Sequence, residues 1–131
     1  MERDNEIFKT SLELITKRIK EILELLDDLI IVSNKSNSLN LIELENELNI
    51  ILSNITKIFI KSNLDEIRLT RFSMVVYYKV MSFREYLSSN IKYGTLVNDT
   101  RIKVLNSDDN QIDKINNFIK SLQICIDRVS I

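Results

Sequence analysis

Residues 4–32 read DNEIFKTSLELITKRIKEILELLDDLIIV, and the spacing of apolar residues in this stretch decides the fold class. Phe8, Leu12, Ile15, Ile19, Ile22, Leu26 and Leu29 follow one another at alternating steps of four and three. That spacing stacks them on one side of an α-helix, whereas a strand would need a step of two. The opposite side carries Glu13 with Lys17, Lys17 with Glu21 and Lys20 with Glu24, opposite charges four apart that support a helix and mark its wet face. A first helix is therefore expected from about Asp4 to Val32.

Outward from this stretch the same reading repeats three times. Ser33 to Asn40 is a polar Ser/Asn run whose side chains compete for backbone hydrogen bonds, so it reads as a loop. Asn40 with Glu43 matches a capping box, and Leu41, Leu44, Leu48, Ile51, Ile55 and Ile58 restore the stripe of a second helix. At Lys61-Ser62-Asn63 the pattern breaks. Either Asn63 and Glu66 cap a new helix there, or one long bent helix continues.

From Leu64 to about Ser89 the apolar residues Phe72, Val75, Val76, Tyr77, Tyr78, Val80, Met81 and Phe83 nearly encircle the axis. An all-round apolar helix is normally central, so this third helix is expected in the middle of the bundle or at a subunit interface. Between Asn90 and Asn106, Gly94 and β-branched residues disfavour helix, and an extended connection or a small hairpin turning at Asn98-Asp99 is expected. Ser107, Asp108 and Asp109 supply a cap and favourable negative charge before Ile112, Ile115, Ile119, Leu122, Ile126 and Val129 mark a fourth helix. The chain reads as all-α: a single domain, residues 1–131, forming a four-helix antiparallel bundle with one extended or hairpin-like connection at about 90–106. Its seams should pack in coiled-coil fashion.

The composition agrees. With 131 residues, 44% of them hydrophobic and 28% charged, the chain is apolar enough to build one core, and too regularly interrupted by charge for a membrane span. Met1 to Glu6 lacks the basic start and apolar run of a secretory signal, so an intracellular location, cytoplasmic or with the chromosome, is expected. Cys125 is the single cysteine, which precludes an intramolecular disulfide, and its place in the apolar pattern of the fourth helix reads as a buried small side chain.

The chain has no histidine, and this removes imidazole bases, Ser-His and Cys-His nucleophiles and the Glu-x-x-His ligands of di-iron bundles. One cysteine and no Gly-rich loop leave neither a Cys/His zinc site nor a phosphate cradle. Glu43 and Glu47, four apart, read as a solvated acidic face and Asp108-Asp109 as a helix-start device. No catalytic residue, cofactor or metal is expected, and the chain reads as a non-enzyme; a carboxylate- and tyrosine-based enzyme is the remotest rival.

Charge is unevenly distributed along the chain. Residues 1–67 hold 8 Lys+Arg against 13 Asp+Glu, a net of −5, whereas residues 68–103 hold 7 against 2, a net of +5. The basic stretch points to a surface for an acidic protein or a nucleic-acid backbone; the plainer reading is that its cations pair with the acidic faces of helices one and two. Arg68, Arg71, Phe72, Tyr78, Lys79 and Arg84 are the candidate partner-binding residues. The aromatics Tyr77, Tyr78, Phe83 and Tyr86 read as core or interface residues rather than base-stacking platforms.

Residues 58–80, IFIKSNLDEIRLTRFSMVVYYKV, followed by residues 104–129, VLNSDDNQIDKINNFIKSLQICIDRV, resemble the helical domain of GINS replication-factor subunits. Arg68 and Arg71 stand at the family's basic signature, with Arg71 in place of the expected lysine, and Asp108-Asp109 at its acidic cap. The small β-rich domain usual in that family has no room here. The resemblance implies a non-catalytic subunit that assembles through its central helix and braces a replicative helicase, meeting nucleic acid indirectly. Independently of it, the residues point to a protein partner in a homo- or hetero-oligomer, with no membrane contact. The alternatives are a stand-alone inhibitor or immunity-type module that sequesters another protein and a nucleic-acid-binding accessory protein.

Overall fold

The computed structural model describes residues 6–32, 35–61, 63–97, 100–105 and 111–129, and side chains within 6–27, 42–61, 63–90 and 113–129. Four helices, α1 (Glu6–Val32), α2 (Lys35–Lys61), α3 (Glu66–Asn90) and α4 (Gln111–Val129), carry the structure, with a two-stranded antiparallel hairpin of β1 (Ile91–Val97) and β2 (Thr100–Leu105) between the last two. This is the expected bundle with the expected hairpin-like connection. Ile91 pairs with Leu105 and Tyr93 with Lys103, but the register slips before Leu96 pairs with Arg101. Gly94, the chain's only glycine, falls in that slip, where one strand accommodates an extra residue. Asn98-Asp99, named above as the turn, and the expected cap at Ser107 to Asp109 lie outside the described residues.

Successive helices alternate in direction, yet they do not sit beside one another in chain order. α1 packs against α2 on one flank and α3 on the other, and α4 closes the ring between α2 and α3. Glu21 and Arg18 of α1 meet Arg84 and Tyr77 of α3, so those neighbours run parallel. Phe83 and Tyr86 of α3 meet Phe118 and Lys114 of α4 in antiparallel sense. The strand β2 lies on α1, which brings the basic 91–105 segment to the acidic first helix.

The core is the sum of the four stripes. Ile15, Ile19, Ile22 and Leu26 from α1, Leu48 and Ile55 from α2, Leu69, Val76, Val80 and Leu87 from α3, and Ile115 and Leu122 from α4 are completely or almost completely enclosed. Each such side chain stabilises the fold by about 1.5–3 kcal/mol relative to exposure. Cys125 is also buried, as its place in the stripe implied.

Three expectations need correcting. The loop expected over Ser33 to Asn40 is helix from Lys35 onward, where α2 begins, because Ser and Asn are only mildly poor helix formers and no glycine or proline stops the helix. Asn40 therefore lies within a helix rather than capping one. The break after α2 is real, but its cap is Asp65 and not Asn63: Asp65 Oδ1 accepts a 2.8 Å hydrogen bond from the backbone N–H of Arg68, and the Asp65 carbonyl accepts the first helical bond from Leu69 at 3.0 Å. Finally, α3 is not central. It is one of four walls rather than the middle of the bundle, with Leu69, Phe72, Ser73, Val76, Val80 and Leu87 buried and its other side exposed, the side on which the alternative expectation of a subunit interface rests.

Candidate functional site

At 100° per residue, the buried residues of α3 cluster around one direction, and Ile67, Arg71, Met74, Tyr78, Ser82 and Glu85 cluster around the opposite one. Ile67 and Tyr78 are each 67% exposed, Met74 66% and the flanking Val75 46%. Helix α3 thus has two apolar stripes, one facing the core and one facing out, which is why its residues seemed to encircle the axis. Scattered exposed apolar residues are ordinary on a protein surface; a row of them along one helix, beside exposed Arg68 and Arg71, is a feature that marks interaction surfaces.

The six candidate residues separate accordingly. Arg68 and Arg71 are exposed near the start of α3, Tyr78 stands at the middle of the outer stripe, and Lys79 is half-buried on its flank. Phe72 is on the other side of the helix, 4% exposed, with its ring 6.0 Å from that of Phe59 on α2; it belongs to the core and cannot meet a partner. Arg84 is turned toward α1, its Nε 2.8 Å from Glu21 Oε2. For Arg84 the plainer reading of the basic stretch holds: it pairs inside the bundle. Among the described residues, Arg68, Arg71 and Lys79 have no such ion pair. Ile67, Met74 and Val75 were missed as surface residues, although Ile67, Met74 and Tyr78 stand at steps of seven and four, the same helical signal that located the core.

Glu21 is the electrostatic centre of the α1–α3 joint. Arg18 Nη1 donates to both of its oxygens at 3.1 Å. Partial burial pushes the Glu21 carboxyl up, but the hydrogen bonds and charge of Arg18, helped by Arg84 and Lys17, outweigh it and hold the group below its ordinary value. The same hydrogen bond and charge raise the Arg18 guanidinium, with a smaller contribution from Tyr77. The cluster is incompletely satisfied: Nε of Arg18 and of Arg84 are buried without an aligned acceptor, so the short Arg84 contact is an ion pair whose N–H is not aimed at the oxygen.

A concavity of about 640 Å³ opens where the ends of α2 and α4 meet the start of α3, and Lys57, Lys61, Arg68, Asn63, Gln123 and Asp127 line it. Its three cations face one carboxylate, which Gln123 already engages at 2.8 Å. Among the described residues, no group of three or more His, Cys, Asp or Glu is placed to hold a metal, and no helix is long and apolar enough to cross a membrane. No protein-family model matches the chain, and neither curated proteins nor solved structures give a match.

Proposed function

We propose that the protein is a non-catalytic interaction or scaffold subunit that engages another protein through the outer face of α3. One observation supports this most directly: the exposed row of Ile67, Met74, Val75 and Tyr78, opposite the core stripe of the same helix and edged by Arg68 and Arg71. The row lies on the convex side of one helix, not in a groove between two. That favours helix-on-helix assembly over the inhibitor or immunity-type reading, in which the bundle holds a foreign segment in a cleft. The GINS-like role is a narrower form of the same proposal, in which the partner is a second helical subunit and the two co-purify in fixed stoichiometry.

The test is a comparison of protein partners retained by the wild-type chain and by Tyr78→Asp from the native host. Tyr78 points away from the core, so the variant keeps its helical circular dichroism. Partners lost from Tyr78→Asp alone support the reading; identical retention by both chains refutes it. The cluster of Lys57, Lys61 and Arg68 favours one second reading, a nucleic-acid accessory role, for which a salt-sensitive mobility shift of DNA is the expected result and its absence at low salt the refutation.

A further inference from the structure

Resting on that reading of the α3 outer face, the charge pattern identifies a particular occupant: we infer that the face pairs with its own copy, α3 against α3, antiparallel about a two-fold axis at Tyr78. Arg71 and Glu85 stand seven residues before and seven after Tyr78. Seven residues is close to two helical turns, so both lie on the same stripe as Tyr78, each about 10 Å along the axis from it. Both are exposed, the Glu85 side chain at 67%. A two-fold axis through Tyr78 brings Arg71 of each copy beside Glu85 of the other, giving two symmetric ion pairs that flank an apolar centre of Met74, Val75 and Tyr78 from both chains.

The opposite orientation is disfavoured by the same charges. Parallel helices in register would set Arg71 against Arg71 and Glu85 against Glu85, like charges facing each other across an apolar seam. Among the described residues, Glu85 is only loosely held within its own chain: it meets Arg84 at 3.9 Å, the outer edge of ion-pair range, and Arg84 is committed to Glu21 at 2.8 Å. The stripe closes on itself, whereas a contact between α3 and the outer face of α1 or α2 of another copy would be head-to-tail and would leave a second α3 face open.

Light scattering on the full chain at roughly 100 μM, where a Kd of ten micromolar leaves most chains paired, should give twice the chain mass of 15.4 kDa. Arg71→Glu and Glu85→Arg should each return the mass to that of one chain with helicity intact, and the double charge swap should restore the dimer. A covalent check is independent of affinity. Under mild oxidation Tyr78→Cys should cross-link to its copy, since it sits on the axis, whereas Ile67→Cys should not, since the two copies of that position lie at opposite ends. A single-chain mass for the wild type, a dimer indifferent to both charge reversals, or equal cross-linking at positions 67 and 78 would overturn the inference. Any of these can occur while Tyr78→Asp still abolishes capture of a different protein, so failure of self-pairing is distinguishable from failure of the interaction face.

Discussion

Arg84 of α3 brings its Nε to 2.8 Å from Oε2 of Glu21 on α1, and Arg18 holds both oxygens of that carboxylate at 3.1 Å. One half-buried carboxylate therefore joins two parallel helices and balances two guanidinium groups. Replacing it by the isosteric Glu21→Gln leaves both cations near each other without their counterion, so the denaturation midpoint at neutral pH is expected to fall by more than it does for the exposed control Glu47→Gln.

The same joint sets a sign for the acid response. The folded carboxyl of Glu21 lies below its ordinary value of 4.5, so as pH falls the unfolded chain takes up the proton first. Its contribution is complete above pH 4.5 and is lost as pH drops through the folded value. Urea midpoints measured from neutral pH down to acid should fall less steeply in Glu21→Gln than in the wild type; parallel curves would contradict the assignment.

Glu45 runs the other way. Burial, with the negative charge of Asp27 beyond it, raises its carboxyl, so the ionised form costs stability at neutral pH. Glu45→Gln is expected to raise the midpoint at pH 7, with the gain shrinking as pH falls through the raised folded value and vanishing below 4.5.

Phe83 of α3 stacks on Phe118 of α4 with ring centroids 4.1 Å apart and planes 4° from parallel. Phe118→Ala should cost about 3–5 kcal/mol of folding stability, because the ring is buried and its space cannot close fully. A double-mutant cycle with both phenylalanines changed to leucine should return a coupling of about 0.5–1.5 kcal/mol, the part due to the ring pair itself.

The cap at the start of α3 separates two neighbouring residues. Asp65→Ala should cost about 1 kcal/mol by chemical denaturation, and Asp65→Asn should recover most of it, since the amide oxygen also accepts from the Arg68 N–H. Asn63→Ala, at the position that sequence pattern alone favours, should change little.

The three-four spacing made the helices and most of their buried residues legible, because burial and periodicity are the same fact seen twice: Ile15, Ile19, Ile22 and Leu26 are in the core for the reason that they are in step. The start of α2 was not, since Ser36, Asn37 and Ser38 carry a turn-like composition that only the rest of a helix overrides. A place for α3 in the middle of the bundle did not hold, because a second apolar stripe on the outside looks, in one dimension, like burial on all sides; its alternative, a subunit interface, concerns that outer stripe. Of the candidate residues, which charge and position singled out, Arg68, Arg71 and Tyr78 are exposed and Lys79 is half-buried. The loss of Phe72 to the core and of Arg84 to Glu21 depends on helix rotation, which no spacing rule supplies to better than a residue or two.

The ring order of the helices has a consequence for assembly. A nascent chain that ends after α2 holds only a helical pair with half of each seam open, and the next helix to emerge finds its seat on α1 rather than on the neighbour just made. Closure waits for α4 to reach back across the hairpin, so the contacts between α2 and α4 that complete the ring join distant parts of the chain. Refolding should accordingly be slower than in bundles whose helices stack in chain order, and the half-built intermediate, greasy along two edges, is the form most exposed to aggregation.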